Sequence, residues 1–173
     1  MKRVVITGLG IVSPVGTGVD YAWKNVLAGK SGIRKVTGFE VSDISSQIAG
    51  FPIRGINPGD FNPDAVIDVR EQRKMENTIL YALIAADEAI KDAGLTDYAG
   101  DKNRVGVSVG SGVGGLSTIS ENDVIIMKDG ARFVSPFFVP KSVVNMPAGH
   151  ISIRYGFGGP NIAMATACAT GPM

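Results

Sequence analysis

The chain has 173 residues, enough for one compact domain with its own core, and 45% of them are hydrophobic against 19% charged, the balance of a globular protein. A formal net charge of +1 gives no bulk electrostatic case for nucleic acid or an anionic membrane as partner. One cysteine excludes an internal disulfide framework and suits a reducing cytoplasm; one cysteine and one histidine cannot close a zinc site, so no metal is expected.

Met1 to Gly8 holds only a short apolar stretch broken by glycine, so neither a signal peptide nor a membrane span is expected there. Arg3 to Thr7 is β-branched and uncharged after Arg3, which predicts a buried strand. A Gly/Pro loop follows from Gly8 to Gly18. Asp20 to Leu27 predicts a short amphipathic helix anchored by Tyr21, Trp23 and Leu27 and stopped at Gly29. Ser31 to Asp68 is rich in Gly, Pro, Asn and Asp and is read as irregular, with a strand-like piece at Gln47 to Phe51.

The clearest element is a helix over Lys74 to Ala93. Met75, Ile79, Leu83, Ala86 and Ile90 recur at helical spacing, alanine is frequent, and Gly94 fits the position just past the end. Its alanines predict close packing, as against a sheet. Arg104 to Val109 predicts a second buried strand, running into Gly110-Ser111-Gly112-Val113-Gly114-Gly115. Leu116 to Met127 reads as helix, and Ser135 to Pro140 as a proline-bracketed aromatic turn. Ser142 to Tyr155 is helical with a kink or late start at Pro147. Asn161 to Ala167 predicts a third strand. Strands alternating with helices argue an α/β fold with a mainly parallel sheet.

Two glycine loops and one thiol could carry chemistry. Gly8-Leu9-Gly10 resembles the start of a dinucleotide-binding fingerprint, but position 13 is Ser13 and Pro14 spoils the helix start. The second loop matches no phosphate-binding pattern either. Both are read as turns and packing points. Cys168 sits where an apolar extended segment meets Ala167, Ala169 and Gly171, small neighbours that let a substrate carbonyl approach. It is a nucleophile or a small buried hydrophobe on this ground alone. His150 on an apolar helix is read as a structural residue. Arg70, Arg73 and Lys74, with Arg132 and Lys141, are the main basic candidates, against a solvated face offset by Glu71 and Glu76.

Taken together, Val5 to Gly10, Glu71-Gln72-Arg73-Lys74-Met75, Gly110 to Gly115, Ser135 to Pro140, Asn145-Met146, Ala148-Gly149-His150, Gly159-Pro160-Asn161 and Thr166-Ala167-Cys168-Ala169-Thr170-Gly171 resemble, in order and spacing, the 3-oxoacyl-[acyl-carrier-protein] synthases. The last segment is more similar to the synthase II form than to synthase I. The resemblance implies a thiolase-like fold, layered helix, sheet, helix, sheet, helix in the full enzyme. It implies decarboxylative condensation of an acyl-enzyme thioester with malonyl-carrier protein, in the cytoplasm and with no cofactor. By the same resemblance Cys168 is the catalytic nucleophile, and its backbone N–H one oxyanion donor. Val113 lines the acyl pocket, with Phe137 and Phe138 close to it. Arg70, Arg73, Lys74 and Arg132 dock the acidic acyl carrier protein, more weakly at Arg132 because Phe133 follows it where the family often has lysine.

The chain departs from the family after Gly171, where a buried helix is expected and Pro172-Met173 stands instead. The expectation is therefore one domain over 1–173, the N-terminal half only, ending just after the nucleophile. The two catalytic histidines of the family have no counterpart, so the fragment alone is expected not to condense anything. It is expected to expose apolar surface that meets the C-terminal half. A homodimer is implied, paired through the 161–167 strand. The rival readings are a non-catalytic fragment that binds acyl groups or the carrier, and a dinucleotide-binding module.

Overall fold

The computed structural model describes residues 3–171. Pro172 and Met173, where a departure from the family was expected, lie outside the described residues. An antiparallel hairpin, β1 (Val12–Ser13) with β2 (Gly16–Thr17), opens onto α1 (Val19–Leu27). A second hairpin pairs β3 (Ile33–Lys35) with β4 (Ile48–Gly50), which realises the strand expected near Gln47. Then come a single turn, α2 (Val69–Gln72), and the long α3 (Asn77–Asp92). The chain continues through β5 (Val107–Ser108), α4 (Leu116–Asp129), α5 (Phe138–Ser142), α6 (Met146–Tyr155) and β6 (Asn161–Ile162).

α3 forms where the apolar spacing places it, and local chemistry sets its ends. The Glu76 carboxylate accepts the Thr78 N–H at 2.6 Å, satisfying a donor of the first turn. Gly94 follows at φ 67°, a left-handed conformation that favours glycine. Ile79, Leu80, Leu83 and Ile84 are buried on one face, against Ala148 and Ile151 of α6, Val107 of β5, Phe157, Phe61 and Ile67. The helix therefore packs mainly on another helix. Asp87 locks the pair: its carboxylate accepts the Tyr155 hydroxyl at 2.9 Å and binds Lys91 at 2.6 Å. α6 starts late, at Met146, because Pro147 lacks an N–H and fits only a first turn.

Several expectations are corrected. Arg3 to Thr7 is not a strand. No ladder partner lies beside it among the described residues, and Val4, Val5 and Ile6 are 95%, 73% and 82% exposed. Exposed apolar surface of this kind is what the resemblance led one to expect. Trp23 and Leu27 do not anchor α1; they are exposed, while Tyr21, exposed along one side, lays its ring over Gly16 and Gly59, and the helix buries Ala22 and Asn25, whose amide donates to the Val15 carbonyl at 2.7 Å. Residues 138 to 142, read partly as an aromatic turn, form the short α5, with Pro140 in its first turn where a missing N–H costs nothing. The strand read over 104–109 shortens to Val107–Ser108, because a 3₁₀ turn takes Lys102 to Arg104. β5 and β6 make the one parallel pair of strands among the described residues, beside an isolated parallel bridge between Arg54 and Phe61; both hairpins are antiparallel. The α/β class stands, with small sheets in place of a broad one.

Both glycine loops are packing points. A side chain at Gly8 would run into the carbonyl of Ala89, and one at Gly10 into that of Ala85, both on α3. The same close approach lets α3 cap the loop: the Leu9 N–H donates to Asp92 at 2.9 Å, and Glu88 accepts from Ile11 at 3.0 Å and Val19 at 2.7 Å. Gly114 and Gly115 press in the same way on the carbonyls of Ser142 and Lys141.

Candidate active site

The parallel pair positions the site. Val107 pairs with Asn161 and Ser108 with Ile162, and the register runs on past the strands. The Val109 N–H donates to the Ile162 carbonyl at 3.1 Å and the Ser111 N–H to that of Met164 at 3.2 Å. The loop that follows β5 is thereby laid against the segment that follows β6. Gly110 faces Met164 and Thr170, and Gly112 faces Ala167. Within the loop, the Ser111 hydroxyl accepts the Gly114 N–H at 3.0 Å.

Cys168 sits on a 3₁₀ turn, Ala167–Thr170, and is exposed. The segment expected as strand to Ala167 is paired as strand only over Asn161 to Ile162, and Ala167 itself has φ 52°, in the left-handed region, which no strand can accommodate. It is the one non-glycine residue with positive φ among the described residues. Such strain costs about 1 kcal/mol and persists only where surroundings enforce it. The Ala169 N–H donates to the Thr166 carbonyl at 3.2 Å, and the Thr166 N–H to the Thr170 hydroxyl at 2.8 Å. The arrangement presents an exposed thiol at a sharp turn that packs closely on two glycines of the loop after β5.

The remaining candidates fall at several places. Val113 is 62% exposed in the glycine loop, Phe137 is exposed, and Phe138 is half-buried at the start of α5. Arg70 and Arg73 are exposed on and just after α2, and Lys74 beside them binds Glu71 at 2.6 Å. Arg132 lies on a separate turn after α4, its guanidinium 4.7 Å from the centre of the Phe133 ring. Phe133 is thus a cation–π partner where a second cation was the alternative. No group of three or more His, Cys, Asp or Glu among the described residues is placed to hold a metal ion. The sequence offered Ala167 only as a small neighbour of the thiol and gave Thr170 no role; a threonine two residues after a cysteine carries no signal of its own.

His150 belongs elsewhere. It lines a cavity of about 300 Å³ with Ile67, Asp68, Glu71, Met75, Leu83, Ile153 and Arg154, between α2, α3 and α6. Burial pushes its imidazole below the ordinary value of 6.5, against a weaker opposing pull from Glu71. The folded protein then binds this proton less readily than the unfolded chain. Stability is full above pH 6.5 and falls as pH drops through that value. Urea midpoints at pH 7.5 and pH 5 should show this decline, with a smaller drop in His150→Gln. Equal drops in the two proteins would exclude His150 as its source.

Residues 1–173 match the family described as beta-ketoacyl synthase, N-terminal domain. Over 170 residues the chain is 43% identical to the 3-oxoacyl-[acyl-carrier-protein] synthase 2 of Coxiella burnetii, covering 98% of this chain and 40% of that protein. It is 42% identical over 185 residues to the mitochondrial 3-oxoacyl-[acyl-carrier-protein] synthase of Arabidopsis thaliana, again covering 98% and 40%. A solved type II polyketide acyl-carrier protein in complex with its ketosynthase, bound to the hexaketide, superposes with a TM-score of 0.76 at 26% identity, over 99% of this chain and 44% of that one. The ishigamide ketosynthase/chain length factor gives 0.75 at 25%, over 94% and 39%. The chain thus spans about 40% of the length of the curated relatives it matches. A thiol held on a strained turn against a glycine loop, in a sequence that matches throughout, leaves one conclusion: the chain belongs to the beta-ketoacyl synthase family.

Proposed function

We propose that this chain carries the acyl-accepting centre of a 3-oxoacyl-[acyl-carrier-protein] synthase of the second type, acting in fatty acid synthesis in the cytoplasm. The observation that carries the reading is Cys168, exposed on a turn whose Ala167 and Thr170 face Gly112 and Gly110. In the first half-reaction its sulfur attacks the carbonyl of an acyl-carrier thioester. The tetrahedral intermediate needs backbone N–H donors for its oxyanion, one of them the Cys168 N–H. Collapse breaks the carbon–sulfur bond to the carrier, whose thiolate takes up the proton the cysteine gave. In the second half-reaction malonyl-carrier loses carbon dioxide, the enolate attacks the Cys168 thioester, and the cysteine leaves as thiolate.

The chain's one histidine, His150, lines the cavity against α2 and α3, and serves neither step. These residues are therefore assigned the transfer and not the decarboxylation. The C-terminal half of the fold supplies that step and covers Val4, Val5 and Ile6. Val113, Phe137 and Phe138 line the acyl pocket, completed by a second copy of the chain paired along residues 161–167. No helix of the described residues is long and apolar enough to cross a membrane.

The test is an intact-mass spectrum of the full chain after incubation with a long-chain acyl-carrier protein. A gain of one acyl group, removed by neutral hydroxylamine, is expected. An unchanged mass would reject the acyl-transfer reading and leave a fragment that binds without reacting.

The exposed cations at α2 are assigned to the acidic carrier. Arg73→Glu with Lys74→Glu reverses charge at two neighbouring positions, and the second change also replaces the ion pair with Glu71 by a repulsion. The dissociation constant for carrier protein should rise about tenfold or more at low salt, with the difference shrinking as salt is raised. Binding unchanged at low salt would remove the patch from the interface.

A further inference from the structure

We propose that Thr170 is a positioning residue for the Cys168 thiol, its hydroxyl clasping the turn on which the cysteine rides. The proposal rests on the acyl-transfer reading for its consequence and on geometry for its cause. The Thr166 N–H donates to the Thr170 hydroxyl at 2.8 Å, so the bond spans the residues on either side of Cys168. The backbone closes the same turn through the Ala169 N–H and the Thr166 carbonyl, at 3.2 Å.

The second half of the clasp is the methyl group. A Cβ on Gly110 would collide with Thr170 Cγ2. The threonine thus fills the space that the missing side chain leaves. Residues 165 to 169 and Gly171 are exposed, and Thr170 alone among them is partly buried. One side chain therefore ties the exposed turn to itself through oxygen and to the loop after β5 through carbon. Ala167, at φ 52°, needs such an anchor to stay in the left-handed region. Without it the alanine relaxes and the sulfur moves, and a misplacement of about 1 Å can cost on the order of a hundredfold in rate.

Two substitutions separate the parts. Thr170→Val keeps the branched shape against Gly110 and loses the acceptor. Thr170→Ser keeps the acceptor and loses the methyl. In the full chain, Thr170→Val should lower kcat for acyl transfer about tenfold or more with KM unchanged, since the carrier docks elsewhere. Thr170→Ser should restore most of the rate. The companion readout is exchange of the Thr166 amide proton in ¹⁵N-threonine-labelled protein. It should be slowed in wild type and in Thr170→Ser, and fast in Thr170→Val.

Transfer by Thr170→Val at the wild-type rate would overturn the proposal, as would a Thr170→Ser variant as slow as the valine. So would a Thr166 amide in wild type that exchanges as fast as an unstructured one, a measurement that needs no variant to fold. If no protein transfers an acyl group while the contrast in exchange persists, the acyl-transfer reading has failed and the clasp has not.

Discussion

Cys168→Ala is expected to leave no acyl adduct on the full chain, while the urea midpoint moves by no more than about 0.5 kcal/mol would cause. The two halves of that expectation come from the same fact. Cys168 is exposed on its turn and contributes nothing to the core around Ile79, Leu83 and Ala148. Truncating it opens no cavity. A cysteine serving as a small buried hydrophobe would behave in the opposite way: its removal would cost about 1 kcal/mol or more, and the wild-type protein would take no acyl group to lose. Cys168→Ser sharpens the comparison. It changes one atom and keeps the turn, but a hydroxyl needs a general base to attack, and transfer should slow about a hundredfold. An adduct that survives in Cys168→Ala would place the acceptor elsewhere and end the assignment. A large fall in stability in the same variant would return the residue to the core.

How much of this was legible beforehand depended on the range of the interaction. The period of Ile79, Leu83 and Ala86 and the glycine at position 94 are local signals, and α3 and its end follow from them. α4 and the late start of α6 at Pro147 were legible for the same reason. Arg3 to Thr7 was not. An apolar β-branched run says what a segment would bury if something lay beside it, and nothing in five residues says whether a neighbouring strand is there. Trp23 and Leu27 misled in a related way: size marks what could be buried, and the contact with the Val15 carbonyl selected Asn25 instead.

The site divides along the same line. Cys168 stood out from its small neighbours and from the resemblance of the whole motif. The seat of Thr170 on Gly110 joins positions 60 residues apart through the parallel register of β5 and β6. No pattern around either residue announces it. The Gly8-Leu9-Gly10 loop was read as a packing point on the strength of a missing third glycine. The structure adds the reason, which is the backbone of α3 lying where a side chain or a ligand would have to go.

That reason makes Gly10→Ala the most damaging single methyl group the chain could gain in its N-terminal region. The new Cβ would fall far inside van der Waals contact distance of the Ala85 carbonyl oxygen, and 2.8 Å from the Ala89 nitrogen. Both are helix backbone, held by the ladder of α3, so the loop must retreat. Overpacking of this kind costs about 1–3 kcal/mol. Retreat also stretches the bonds from Leu9 to Asp92 and from Ile11 to Glu88, each worth about 1 kcal/mol. A loss near 3 kcal/mol is expected, which for a chain of this size lowers Tm by roughly 6–12 °C. Gly38→Ala is the control, because no heavy atom lies within 4 Å of its Cβ position and its φ is ordinary; it should stay within about 0.5 kcal/mol of wild type. If the loop were instead a cradle held open for a ligand, Gly10→Ala would unfold at the same urea concentration as Gly38→Ala, and the contact with α3 would carry no weight in holding the N-terminal segment.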